Sequence, residues 1–242
     1  MLSFKEGRKI AKVYGGRYDG EFIYLLEEGD GKKEIKIPDG IIVPLPQKHI
    51  VEKLYVSAPS GAGKSTFVGN WLIEARRMFK KIPIYVFSSI KSDPALDPIG
   101  VFRVPMNADV LDSCVPEELK NSIIVLDDTD TIQDKEVGEI VEGIRDWILE
   151  QGRHFNERII ITSHLLMNHA HTRRILNEAT AVCFFPRSGA TYPIKRFLKE
   201  YVGLEQKMIE KILKLPSRWV CVYKTYPMYI LHEHGAFLIY GD

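Results

Sequence analysis

The stretch that decides the fold is "LYVSAPSGAGKSTFVGNWL", Leu54 to Leu72. It begins with strand-forming residues, breaks into small residues and glycines, and then passes through Lys-Ser-Thr. Glycines in such a turn let backbone N–H groups approach an anion, and the start of the following helix favours negative charge. The stretch therefore predicts a strand, a loop that holds a polyphosphate, and a helix over residues 64–80.

The loop itself matches the Walker A pattern GxxxxGK[ST], with Ala58 in place of the first glycine. That departure is acceptable if Ala58 keeps a negative φ at the end of the strand. We expect Lys64 to contact the β- and γ-phosphates of ATP and Ser65 to ligate Mg²⁺. The alternative is a glycine-rich turn that only connects a strand to a helix. The predicted nucleotide-binding residues are Pro59, Ser60, Gly61, Ala62, Gly63, Lys64, Ser65 and Thr66.

A second motif, "IIVLDD", ends a buried apolar strand in two carboxylates. This is the Walker B arrangement, which delivers an acid to the edge of the sheet where the phosphates lie. We expect Asp127 to hold Mg²⁺ through water and Asp128 to orient or deprotonate the attacking water. An acidic turn is the alternative, since Asp-Asp-Thr-Asp is also good turn chemistry.

A third motif, "RHFNERIIITSH", predicts a strand over residues 158–163 beside the Walker B strand. The strand ends in Thr162, Ser163 and His164, which can sense the γ-phosphate and align water. For Ser163 the alternative is an N-cap of the following helix.

The rest of the chain indicates an α/β protein. Uniformly apolar strands alternate with helices after Ile50, which predicts a mainly parallel central sheet covered by helices on both faces. Hairpin signals separate short alternating segments in residues 1–47, which we interpret as a small β-rich cap. Residues 48–242 are interpreted as the P-loop NTPase core, which includes C-terminal helices and antiparallel strands.

Composition restricts the class further. The 242 residues carry a formal charge of +1, so DNA contacts must come from local patches. Three distant cysteines in apolar surroundings predict reduced, buried thiols. The sequence shows no apolar run of membrane-spanning length and no signal-peptide pattern, so we expect an intracellular protein.

These motifs in this order resemble the genome-packaging ATPases of large double-stranded DNA viruses, the poxvirus and giant-virus branch of the FtsK–HerA superfamily. The resemblance spans Leu54 to Ile239 and leaves out residues 1–47. The matching stretches are "PSGAGKST", "IIVLDD", "GRHFNERIIITSH", "HTRRILNEAT", "FFPRSG" and "LPSRWVCVYKTYPMYILHEHGAFLI".

The resemblance implies a homo-oligomeric ring of about five or six subunits that threads double-stranded DNA into a capsid, with capsid or portal-vertex proteins as partners. It places an arginine finger for the neighbouring subunit's nucleotide at Arg153, and a sensor, often glutamine, at His164. The alternative for Arg153 is a solvated cation at a helix end. The implied location is the cytoplasm of the host cell, in a viral factory, and the virion.

Two further questions stay open at this level. The segment from Arg187 to Lys224 holds nine Lys/Arg against three Glu, mixed with aromatic residues. It can be a surface that grips the DNA backbone, or solvated helices followed by core aromatics. The rival functions are a P-loop kinase of nucleotides or small molecules, which needs a lid carrying several arginines, and a nucleotide-dependent scaffold with feeble turnover.

Overall fold

The computed structural model describes residues 1–27 and 29–239, without the side chains of residues 169 and 170. Fourteen strands and six α-helices form in these described residues. The strands are β1 (Leu2–Ser3), β2 (Arg8–Tyr14), β3 (Phe22–Leu25), β4 (Glu34–Lys36), β5 (Ile41–Pro44), β6 (Lys53–Ser57), β7 (Ile84–Ser88), β8 (Phe102–Pro105), β9 (Ile123–Leu126), β10 (Arg158–Ser163), β11 (Ala181–Phe184), β12 (Val220–Tyr223), β13 (Tyr229–His232) and β14 (Gly235–Leu238). The helices are α1 (Lys64–Met78), α2 (Ala108–Asp112), α3 (Lys135–Gln151), α4 (His169–Glu178), α5 (Thr191–Glu200) and α6 (Gln206–Leu213).

One compact unit comprises residues 48–179 and contains a parallel sheet in the order β6-β10-β9-β7-β8. The predicted α/β class, a mainly parallel sheet with helices, is confirmed. Because all five strands run the same way, the carboxyl ends of β6, β10, β9 and β7 lie along one edge. The Walker A loop, the two acids of the Walker B motif and the residues that end β10 all lie at that edge.

The helices of this unit form because their apolar residues recur at helical spacing. In α3 the buried positions include Val137, Val141, Ile144 and Ile148. The side chain of Asp134 caps the helix by accepting hydrogen bonds from the first-turn amides. On α1, Trp71 is fully buried. Burial of such faces, at roughly 2 kcal/mol per large apolar side chain, is what holds the helices on the sheet.

The other compact unit joins residues 1–47 to the chain from Thr180 onward. It contains a four-stranded antiparallel sheet in the order β1-β3-β2-β5. It also contains a run of antiparallel pairings in the order β4-β14-β13-β12-β11, together with α5 and α6. The segment 41–44, which the sequence predicts only as an extended connector, is β5 paired with β2. Its proline stands at the end of the strand, where a missing N–H costs little.

This division differs from the predicted one, in which residues 180–242 belong with residues 48–179. One unit begins at Lys48, and residues 240–242 lie outside the described part of the chain. Pairing of β14 with β4, and a hydrogen bond from Ile42 N to Glu233 O at 2.9 Å, group the C-terminal strands with the N-terminal ones. A strand pattern predicts that a segment is extended, but its partner is set by long-range pairing that the pattern does not contain.

We predict opposite effects for two helical glycine-to-alanine changes. A Cβ on Gly69 of α1 would lie 2.6 Å from the carbonyl oxygen of Ala95, so Gly69→Ala should destabilise the protein by about 1–3 kcal/mol. A Cβ on Gly143 of α3 would meet nothing within 4 Å, so Gly143→Ala should stabilise it by up to about 1 kcal/mol. Urea unfolding of both variants measures this, and equal shifts in the two midpoints would contradict the packing of α1.

Candidate nucleotide-binding and hydrolysis site

The loop from Pro59 to Gly63 connects β6 to the first residue of α1. Gly61 and Gly63 have φ values of 76° and 108°, which are left-handed conformations that side chains with a Cβ rarely adopt. Positive φ in the described non-glycine residues is confined to Asn121, Asp128 and Asn156, so Ala58 keeps the negative φ that its place requires. The loop has the backbone form of an anion-binding turn at a helix N-terminus.

The ammonium group of Lys64 joins the loop to the two acids of β9. Lys64 is 8% exposed, and its Nζ donates to the carbonyl oxygen of Ala58 at 2.9 Å. The same Nζ lies 3.2 Å from Asp128 Oδ1. The structure thus brings together two motifs that are about sixty residues apart in sequence. A triphosphate in the loop would compete with these partners for the lysine.

Asp127 is held by two hydroxyl groups from the neighbouring strands. Its Oδ2 accepts from Ser88 Oγ at 2.9 Å, and its Oδ1 accepts from Thr162 Oγ1 at 2.9 Å. Burial raises the pKa of this carboxyl above its usual range, and the two hydroxyl donors oppose that rise. A half-buried, oriented carboxylate of this kind fits a cation, and Ser65 in the first turn of α1 is an oxygen ligand of the type that Mg²⁺ prefers.

Asp128 has a left-handed backbone, with φ 48° and ψ 43°. Aspartate tolerates this conformation better than most residues. Its backbone N–H donates to Thr162 Oγ1 at 2.7 Å, and that oxygen lies 3.0 Å from Asp128 Oδ1. A hydroxyl has one proton, so Thr162 donates to Asp127 or to Asp128 at a given moment. Thr162 therefore ties both acids to the end of β10.

The loop after β10 packs against the acids through His164. Its Nε2 lies 3.5 Å from Asp128 Oδ2, and its Nδ1 lies 3.4 Å from Asp130 Oδ1. Asp128, Asp130 and His164 form a cluster of a type that can hold a metal. Lys64 already lies against one oxygen of Asp128, which supplies positive charge there. Ser163 Oγ donates to Asp130 Oδ2 at 2.8 Å, so its hydroxyl joins the end of β10 to the turn that follows the acids.

Arg153 lies far from this cluster. It is exposed in the 3-10 turn Gly152–Phe155, which precedes the first residue of β10. The six residues of β10 span about 20 Å between that end and the edge where Lys64 lies. Arg153 therefore cannot reach the nucleotide loop of its own chain.

A virophage protein is similar in sequence to nearly the whole chain. No protein-family model matches the chain. The chain is 40% identical over 243 aligned positions to the uncharacterized protein V3 of Sputnik virophage, covering 98% of this chain and 99% of V3. The chain belongs to the V3 family.

Solved structures show which fold this V3-family protein has. It resembles the genome-packaging NTPase B204 of Sulfolobus turreted icosahedral virus 2 in complex with AMPPCP, with a TM-score of 0.50 and 12% identity, over 75% of this chain and 96% of B204. It also resembles the pCW3 conjugation coupling protein TcpA in its monomer form with ATPγS, with a TM-score of 0.54 and 10% identity, over 96% of this chain and 77% of TcpA. At these identities the likeness shows the fold, which is that of a P-loop NTPase.

Two residues of this site are absent from the sequence-based prediction. Ser88 is the last residue of the buried strand β7 and donates a hydrogen bond to Asp127, and Asp130 lies in the turn after the acids. A serine at the end of the strand next to the Walker B strand could have identified Ser88 from the sequence. Asp130 is concealed because Asp-Asp-Thr-Asp reads equally well as turn chemistry.

The segment from Arg187 to Lys224 divides into buried aromatics and exposed charges. Phe197, Trp219 and Tyr223 are buried, whereas Tyr226, just beyond the segment, is 82% exposed. Arg196 pairs with Glu200 and Arg218 pairs with Glu233.

Among the residues described, every helix is too short or too polar to span a bilayer.

We predict that the loop lysine and the second acid separate binding from hydrolysis. Lys64→Ala should abolish ATP binding, because it removes the cation that contacts the phosphates. Asp128→Asn should bind ATP with unchanged affinity and lose hydrolysis by about 10²–10⁴-fold, since asparagine keeps the left-handed backbone but not the base. Calorimetric titration with a slowly hydrolysed ATP analogue, alongside phosphate release, measures both. An intact rate in Asp128→Asn would remove Asp128 from the catalytic role.

Proposed function

We propose that this protein is an ATP-hydrolysing motor that translocates double-stranded DNA and packages a viral genome into a capsid. The observation that carries the proposal is the 3.2 Å contact between Lys64 and Asp128, in which a phosphate-loop lysine meets a strand-end acid. Asp127 beside it is half-buried and is oriented by two hydroxyl groups, as a cation ligand would be. Phosphate binding and water activation can then occur at one edge of one sheet.

The residues of this chain would divide the reaction between them. The backbone N–H groups of residues 60–66 and the Lys64 ammonium bind the β- and γ-phosphates. Ser65 and Asp127 would hold Mg²⁺, which, when bound, neutralises charge on those phosphates. Asp128 orients a water molecule and accepts one of its protons. The oxygen of that water bonds to the γ-phosphorus. The bond from that phosphorus to the β–γ bridging oxygen breaks, and its electron pair leaves with ADP.

The arginines favour hydrolysis of ATP over transfer of its phosphoryl group to a small acceptor. A kinase would need free arginines over the phosphates, and the candidate pairs are at 76–77 and 173–174. Arg76 donates to the carbonyl oxygens of Ile82, Ile99 and Gly100. Arg77 pairs with Glu74, and Arg174 pairs with Asp146. Three of these four arginines are thus engaged within the fold.

The DNA substrate and the ring are supported by similarity and by the position of Arg153. Two solved structures with this fold are a viral genome-packaging NTPase and a conjugation coupling protein, and a sequence relative comes from a virophage. Arg153 is exposed at the opposite edge from the loop, so it can complete only a neighbouring subunit's site. We therefore propose a ring of subunits, with capsid or portal-vertex proteins as partners and the host cytoplasm or the virion as the location.

One measurement tests this function directly, namely the ATPase rate per subunit against protein concentration, with and without duplex DNA. A ring motor should show a rate per subunit that rises with concentration and rises further with duplex DNA. Turnover that needs a small-molecule acceptor would indicate a kinase instead. A nucleotide-binding protein whose rate responds to neither concentration nor DNA would be a scaffold.

Loss of Arg153 should leave ATP binding intact and abolish turnover in the assembled state. The reason is that an arginine donated from the next subunit stabilises charge on the transferred phosphoryl group, an effect of about 10³–10⁵-fold in comparable enzymes. Mixed assemblies of Arg153→Ala with Lys64→Ala subunits should recover part of the rate, because an Arg153 from one subunit then meets an intact loop of another.

Lys120→Ala is the matched control, because it removes an exposed cation from the same edge of the sheet as Arg153. The neighbouring Asn121 marks this position, since its backbone N–H donates to Phe155 O at 2.9 Å. Its rate should remain that of the unaltered protein. Normal hydrolysis by assembled Arg153→Ala would refute the assignment of the finger.

A further inference from the structure

Asp130 lies in the 3-10 turn Thr129–Thr131 that follows the two acids. Its Oδ2 accepts a hydrogen bond from Ser163 Oγ at 2.8 Å and another from the backbone N–H of His164 at 2.8 Å. Its side chain is 24% exposed. The Oδ1 atom, left free by these two bonds, faces the imidazole ring. One carboxylate therefore holds the backbone of His164 by a hydrogen bond and lies beside the ring of the same residue, which contacts Asp128.

The imidazole of His164 lies between two carboxylates, and its two nitrogens have different surroundings. Nδ1 is shielded from solvent and makes no regular hydrogen bond, and Asp130 Oδ1 is 3.4 Å away. If Nδ1 carried a lone pair, two acceptors would face each other away from water, which is unfavourable. A proton on Nδ1 removes this conflict. A neutral ring with its proton there has a lone pair on Nε2, which lies 3.5 Å from Asp128 Oδ2.

We propose that Asp130 is a positioning residue for the hydrolysis of ATP, an inference that rests on the function proposed above. Asp130 keeps the proton of His164 on Nδ1, so that Nε2 and Asp128 Oδ2 present two acceptors to a single water. Asp128 Oδ1 lies on the side of Lys64 and Thr162, at 3.2 Å and 3.0 Å, whereas Oδ2 lies on the side of His164. The attacking water is thereby oriented by two groups, and its departing proton passes to Asp128 while His164 keeps its own.

The kinetic test is a double-mutant cycle of Asp130→Ala and His164→Ala. Asp130→Ala should lower kcat about tenfold to a hundredfold and leave the KM for ATP unchanged, as is usual for residues that orient a functional side chain. If Asp130 acts through His164, the double variant should be no slower than His164→Ala alone. Additive losses would overturn the proposal. Asp130→Asn keeps one acceptor oxygen and should lie between the unaltered protein and Asp130→Ala.

Asp134→Ala serves as the control for a purely structural effect. Asp134 follows in the same acidic segment, but its carboxylate caps α3 by accepting from the amides of Glu136 and Val137. Its loss should lower thermal stability without lowering kcat. If Asp134→Ala and Asp130→Ala reduced kcat equally, Asp130 would be a structural residue and the proposal would be wrong.

A second readout does not depend on turnover. In protein labelled with ¹⁵N-histidine, long-range ¹H–¹⁵N spectra report which ring nitrogen carries the proton, and the signal missing from His164→Ala identifies this residue. We expect the Nδ1–H form in the unaltered protein and a shift towards the Nε2–H form in Asp130→Ala and, more weakly, Asp130→Asn. An Nε2–H or doubly protonated ring in the unaltered protein would overturn the proposal about Asp130. The absence of DNA-stimulated ATPase activity would instead count against the proposed function.

Discussion

The site depends on one constraint, which is that two half-buried carboxylates lie side by side at the end of a buried strand. Such groups are stable away from bulk water only when cations or hydrogen-bond donors lie against them. Here Lys64 provides the charge beside Asp128, while Ser88 and Thr162 provide donors to Asp127. These partners come from α1, β7 and β10, so the electrostatic requirement of the acids ties three elements of the sheet edge together.

The second acid also has a backbone conformation that suits aspartate. Asp128 adopts a left-handed backbone directly after β9, and this conformation favours aspartate and asparagine among residues with a side chain. In that position the short carboxylate lies against Lys64 with one oxygen and near His164 with the other. The 3-10 turn that follows then carries Asp130 to the far side of the imidazole ring.

Parallel strands also separate two functions by distance. The carboxyl ends of β6, β9 and β10 gather the loop, the acids and His164, whereas Arg153 precedes β10 at the other edge. Arg153 of one chain cannot reach the loop of the same chain, because the length of the strand lies between them. The proposed role of Arg153 as a finger therefore requires at least two chains.

The sequence by itself determined the local parts of this protein. The glycine-rich loop, the helix that begins at Lys64, the paired acids and the strand before His164 were all predictable, because glycine conformations and apolar runs are properties of short segments. Only the tertiary structure decided that β4 pairs with β14, that Ser88 reaches Asp127, and that Asp130 faces His164. Those features depend on which segments become neighbours across tens to hundreds of residues. Such pairing is selected by the packing of the whole chain, and no short stretch of sequence contains it.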